Sequence, residues 1–135
     1  MIDDYIEKWI IKAVNDLKVA EHELRQSEEE IVTDAVCFHC QQAVEKLLKA
    51  YLASKNIDFG KTHNLEFLLE SCLKIDPYFR DVDVGNLSFY AVEIRYPDEF
   101  YMPSVAEAKE CFSIASKFKD FLLKKISWFN LPSSH

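Results

Sequence analysis

The sequence predicts an all-α fold, an up-and-down antiparallel bundle of about five helices, four of them long. Three observations carry that expectation. Apolar residues recur at steps of three and four along most of the chain, the spacing of one helix face. Backbone breakers are scarce: the 135 residues include two glycines and four prolines, with the prolines near segment ends. Hydrophobic residues make up 49% and charged residues 29%, an ordinary globular balance with enough apolar material for one substantial core.

The first helix is read from Ile2, Ile6, Trp9, Ala13, Leu17, Ala20 and Leu24, a single apolar stripe that the polar run Gln26–Glu30 ends. Thr33 or Asp34 caps the second, which runs from Asp34 to about Ser54 with Val36, Cys40, Ala43, Leu47 and Tyr51 as its core stripe. Asn56–Lys61 is a loop. A third helix is expected from about His63 to Lys74, with Leu65, Leu68, Leu69, Cys72 and Leu73 at helical spacing. Asp76-Pro77 then reads as a cap followed by proline in a first helical position. The next helix passes through Leu87, Tyr90, Ala91 and Ile94 and stops at Tyr96, because Pro97 disfavours helical geometry in the residue before it. The last begins at a capping box, Ser104-Val105-Ala106-Glu107, and carries Val105, Ala108, Phe112, Ala115, Leu122 and Ile126. Phe118, Phe121, Trp128 and Phe129 add more aromatic area than one stripe needs. That surplus is either a self-association surface or additional core. Residues 1–130 are expected to form one domain and 131–135 a tail.

The net charge of −7 argues against broad nucleic-acid binding, which needs a dense basic face, and leaves room for a local patch. The start of the chain carries acids where a secretory signal needs positive charge, and no apolar run approaches ~18 residues, so a cytoplasmic protein without membrane association is expected. The four cysteines are then reduced thiols. Cys37-Phe38-His39-Cys40 looks like half a zinc site, but no second pair with ligand spacing follows. Both cysteines fall on the apolar side of their helix, so they are read as core. No metal and no cofactor are expected, since a Walker loop, a dinucleotide fingerprint and a nucleophile elbow are all missing from the sequence.

Two constellations carry candidate chemistry. On a wheel advancing ~100° per residue, His39, Gln42, Lys46 and Lys49 share a sector of roughly 80° beside the core stripe. An imidazole, an amide and two ammonium groups on such a flank offer donors for phosphate and base edges. The competing reading is a solvated face on which Glu45 pairs with neighbouring lysines. The second constellation is Arg95-Tyr96-Pro97-Asp98. Its arginine neutralises free helix-end carbonyls in one reading. In the other, Pro97 stiffens the turn so that a guanidinium fork and an aromatic ring are held ready for a phosphate and a stacked base.

The run Phe38-His39-Cys40-Gln41-Gln42-Ala43-Val44-Glu45-Lys46-Leu47-Leu48-Lys49-Ala50-Tyr51-Leu52 resembles the signature second helix of HEPN domains. Lys61-Thr62-His63-Asn64-Leu65 is similar to the start of that family's next helix, and Arg95-Tyr96-Pro97-Asp98 to its arginine motif. The resemblance spans nearly the whole chain. It implies a bundle that forms a homodimer, with a groove near the dimer axis lined by the arginine motif. It also implies a prokaryotic two-gene module, toxin–antitoxin in type, in which the partner is a minimal nucleotidyltransferase. The ligand-binding set that follows is Arg95, Tyr96, Asp98, Lys46, Lys49, Gln42, His39 and His63, facing a nucleotide or an RNA terminus. Relatives that cut RNA carry a histidine four to six residues after the arginine. Tyr96 to Met102 contain none, and the sole later histidine is His135. General acid–base cleavage needs a proton acceptor near the 2′-hydroxyl, so binding without chemistry is the leading expectation. A ribonuclease with His39 or His63 as a displaced catalytic histidine, and a non-catalytic protein–protein adaptor, are the alternatives.

Overall fold

The structure is a computed structural model that describes residues 3–90 and 101–127. Four α-helices appear among these residues: α1 (Asp4–Leu24), α2 (Thr33–Ser54), α3 (Leu65–Leu73) and α4 (Val105–Ser127). Two short 3-10 turns, Pro77–Asp81 and Leu87–Tyr90, link α3 towards α4. The fold is an all-helical bundle, as the apolar spacing requires.

Helix ends are set by local chemistry. The Asp3 side chain accepts from Ile6 N at 3.0 Å and opens α1, and Asn64 does the same for α3 through Phe67 N at 3.0 Å. That cap starts the third helix at Leu65, two residues after the expected His63. At the end of α2, Asn56 adopts φ 59°, and Ile57 N reaches back to Leu52 O at 2.9 Å. This left-handed stop closes the last carbonyls. Asp76 caps the first 3-10 turn through Tyr78 N at 3.0 Å, with Pro77 in the first turn position as expected. The capping box at Ser104 is present in both directions: Glu107 N donates to Ser104 Oγ at 3.0 Å, and Ser104 N donates to Glu107 Oε1 at 3.4 Å.

Residue pairing fixes the topology. Asp16 of α1 meets His39 and Lys46 of α2, while Trp9, further back along α1, lies against Lys49, further along α2. The two helices therefore run antiparallel. On the other side of α2, the free thiol of Cys37 lies beside that of Cys111 near the start of α4, and Tyr51 reaches Phe121 near its end through Phe79. Helices α2 and α4 thus run parallel, as alternate members of an up-and-down bundle do.

Helix α2 is the central element. Val36, Cys40, Ala43, Leu47 and Tyr51 are buried as the stripe predicts. So are Cys37, Gln41, Val44, Glu45, Leu48, Lys49, Ala50 and Leu52, because α1 covers one side and α4 the other. Each large aliphatic side chain buried here contributes roughly 1.5–3 kcal/mol. Packing decides one open expectation and revises another. Phe118 is core, 4% exposed, and Phe121 stacks edge-on against Phe79; much of the aromatic surplus of α4 is therefore used inside the chain. The expected fourth helix is, over its described part, the 3-10 turn Leu87–Tyr90, with Leu87 and Tyr90 buried as anticipated. Ala91, Ile94, Trp128 and Phe129 lie outside the described residues.

Candidate functional site

The polar side chains of α2 gather on two carboxylates. Asp16 belongs to the apolar stripe of α1, between Ala13 and Leu17, and is 8% exposed. A charge so placed must be paired to be tolerated. His39 Nδ1 donates to its Oδ1 at 2.8 Å and Lys46 Nζ to its Oδ2 at 2.6 Å. Both partners remain partly open to solvent, with 28% of the His39 side chain and 20% of the Lys46 side chain exposed. A carboxylate accepts only, so His39 holds its proton on Nδ1 and turns Nε2 to the other side of the ring.

The second carboxylate is Glu45, fully enclosed on α2. Gln41 Nε2 donates to its Oε1 at 3.1 Å; Lys49 Nζ and His63 Nδ1 meet Oε2 at 3.0 and 2.8 Å. Lys49 also lies over the rings of Trp9 and Phe59, at 5.4 and 5.7 Å from their centroids. Trp9 Nε1 is buried beside this cluster without a hydrogen-bond partner among the described residues. Gln42 Nε2 donates to Gln41 Oε1 at 2.8 Å and links the amides along the helix.

The expected row of four donors along one rim therefore divides. His39, Gln42 and Lys46 keep partial access. Lys49 is interior, 4% exposed, because Glu45 is buried one turn earlier and needs a cation; Lys49 is corrected from rim donor to structural partner. His63 joins the Glu45 cluster from outside, with most of its ring exposed. Arg95, Tyr96 and Asp98 lie outside the described residues. The residues flanking that segment are tied together: Tyr90 and Tyr101 donate to the Glu107 carboxylate at 3.3 and 2.5 Å. The Tyr101 hydroxyl holds the Glu107 carboxyl below the usual carboxylate range. Tyr90 lies near Cys37 and Cys111, on the α4 side of α2, whereas His39 and Lys46 face α1.

Asp16 is the functional-looking residue that sequence reasoning passed over. Its signal was present: a carboxylate three residues after Ala13 and four before Ala20 stands in an apolar stripe. The cysteines behave as core. Burial pushes the Cys72 thiol up to about 12 and raises Cys40 further, which keeps both protonated and inert. Among the described residues no group of three or more metal-ligating side chains converges, and no helix is long and apolar enough to cross a membrane.

Comparison with known proteins agrees with this architecture. The model of the HEPN domain family matches residues 6–126. A crystal structure of an archaeal HEPN homologue is similar, with a TM-score of 0.62 and 22% identity, covering 90% of this chain and 97% of that one. At that identity the likeness shows a shared fold. No curated protein matches the chain.

Proposed function

The chain belongs to the HEPN domain family, and from that premise we propose that it is a homodimeric module that binds a nucleotide or an RNA terminus, acting with a minimal nucleotidyltransferase partner. The observation that carries the reading is the shared carboxylate: Asp16 fixes His39 and Lys46 side by side on an accessible seam between α1 and α2. A donor held in advance, here the Lys46 ammonium, loses little freedom when an anionic ligand arrives. The phosphate-binding role falls to Arg95 and Lys46, with Tyr96 for a stacked base, while Lys49 and His63 support the site through Glu45.

Calorimetry with ATP and a short RNA on the wild type, Arg95→Ala and Lys46→Ala tests this. Arg95→Ala is expected to weaken binding by roughly 1.5–3 kcal/mol, the worth of a charge-assisted contact. Lys46→Ala costs less, because part of its charge is already spent on Asp16. Both effects shrink as salt rises. If Arg95→Ala binds as tightly as the wild type, or nothing anionic binds, the adaptor reading replaces this one. RNA cleavage abolished by His39→Ala or His63→Ala would make the protein a ribonuclease instead.

A further inference from the structure

Where α2 meets α4, two cysteines lie together. Cys37 is fully buried and Cys111 is 6% exposed; both are free, and their thiols are neighbours. Around them the two helices carry small residues, Cys40 and Ala43 on α2, Ala108 and Ala115 on α4, all buried. A disulfide asks for Cα atoms about 4.4–6.8 Å apart, and side chains this short let the backbones approach. Cys111 also has a way out. It lines a pocket of about 100 Å³ together with Leu87 and Tyr90 of the second 3-10 turn and Glu107 and Ile114 of α4. Liquid water takes roughly 30 Å³ per molecule, so the pocket admits a few waters, or hydrogen peroxide, and excludes bulky oxidants.

The two sulfurs differ in character. The Cys37 thiol donates to Cys111 and holds it below the usual thiol range, against burial and the charges of Glu110 and Glu107. The same contact, with burial, keeps Cys37 protonated. A sulfur that lines a pocket and favours its thiolate, beside a buried thiol, is the arrangement of an attacking and a resolving cysteine. We propose that Cys111 and Cys37 form a peroxide-sensitive dithiol that closes into a disulfide between α4 and α2. In the first step the Cys111 thiolate attacks one peroxide oxygen and the O–O bond breaks. Hydroxide leaves and takes up the proton that Cys111 released, giving water. Cys111 is then a sulfenic acid, oxidised by two electrons, and the peroxide is reduced. The Cys37 sulfur next displaces that hydroxyl, which departs as a second water with the Cys37 proton, and the S–S bond forms. Two thiols and one hydrogen peroxide thus give one disulfide and two waters. A small dithiol reverses the reaction by exchange. The inference does not depend on the nucleotide-binding reading.

The test treats the folded full chain with hydrogen peroxide, alkylates the remaining thiols in denaturant, and maps the peptides by mass spectrometry. The wild type is expected to lose two of its four free thiols, with Cys37 joined to Cys111 of the same chain, and to recover both with dithiothreitol. Cys37→Ala should halt at a sulfenic acid on Cys111, which dimedone captures. Cys111→Ala should keep its remaining thiols at the same dose, whereas Cys40→Ala and Cys72→Ala should form the bridge as the wild type does. Wild type that keeps all four thiols in peroxide would overturn the proposal. So would a bridge that joins other cysteines or two chains, or oxidation that occurs only after urea has unfolded the protein.

Discussion

At the scale of single residues, the chemistry of this protein is decided by where its carboxylates are buried. Glu45 is 2% exposed and Lys49 5% as side chains, and each makes the other tolerable. Removing one partner of such a pair leaves an uncompensated charge, which costs roughly 3–5 kcal/mol. Lys49→Met keeps the stem against Trp9 and Phe59 and removes only the charge. It is expected to destabilise by about 3 kcal/mol, at the lower end because Gln41 and His63 still donate to Glu45. Adding Glu45→Gln should return most of that loss, since the stranded charge is then gone. Urea unfolding of the two single variants and the double reads this directly. A Lys49→Met midpoint equal to the wild type would show that the pair is not interior in solution. Asp16 differs in kind: its two partners are partly open, so its contribution is orientation more than stability.

At the scale of elements, helix ends marked by a short local motif were legible in the sequence. The start of α2 was not, since Val32 precedes it and neither Thr33 nor Asp34 caps it. Neither were the surroundings of the helices. Ser104 and Glu107 announced the start of α4 because a capping box is a local device, complete within four residues. Asp76-Pro77 was legible for the same reason. The burial of α2 on nearly every side was not, because it follows from α1 and α4 closing on it, and one helix's periodicity reports one face at a time. Lys49 went astray on that account. Asp76 also reaches across elements, and this sets a pH dependence. Its carboxylate is 2.8 Å from Lys125 Nζ on α4, and the hydrogen bond with Lys125 holds its carboxyl below the usual aspartate range. A depressed carboxylate contributes stability that is complete above the ordinary aspartate value, about 3.9, and is lost as pH falls through the lower folded value. Asp76→Asn can retain the cap on Tyr78 N and loses the ion pair. At pH 7 it should be less stable by about 0.5–1 kcal/mol, in the range of partly exposed pairs. The deficit should shrink as pH falls below the ordinary aspartate value. Thermal unfolding of both proteins across that range checks the sign; a deficit unchanged in acid would assign the effect to the cap instead.

At the scale of the whole molecule, a homodimer needs a surface other than the aromatic excess of α4. The aromatic excess of α4 suggested an association surface, and the bundle itself uses Phe118 and much of Phe121. What stays open is a cavity of about 400 Å³ between the first 3-10 turn and α4, lined by Tyr78, Val82, Ile114, Phe118 and Phe121 with Asp81, Asp83 and Lys117 at its edges. Tyr78 is 67% exposed there. Ring surface of that extent, left to water on a domain this small, loses the burial that a second copy can restore. Light scattering at micromolar concentration is expected to give about twice the chain mass of 15.8 kDa. Mass action supplies an independent reading: when association stabilises the fold, the unfolding temperature rises with protein concentration. A stable mass near 15.8 kDa, with an unfolding temperature indifferent to dilution, would remove the dimer. Any nucleotide site would then have to be complete within one protomer, built around the seam where Asp16 holds His39 and Lys46.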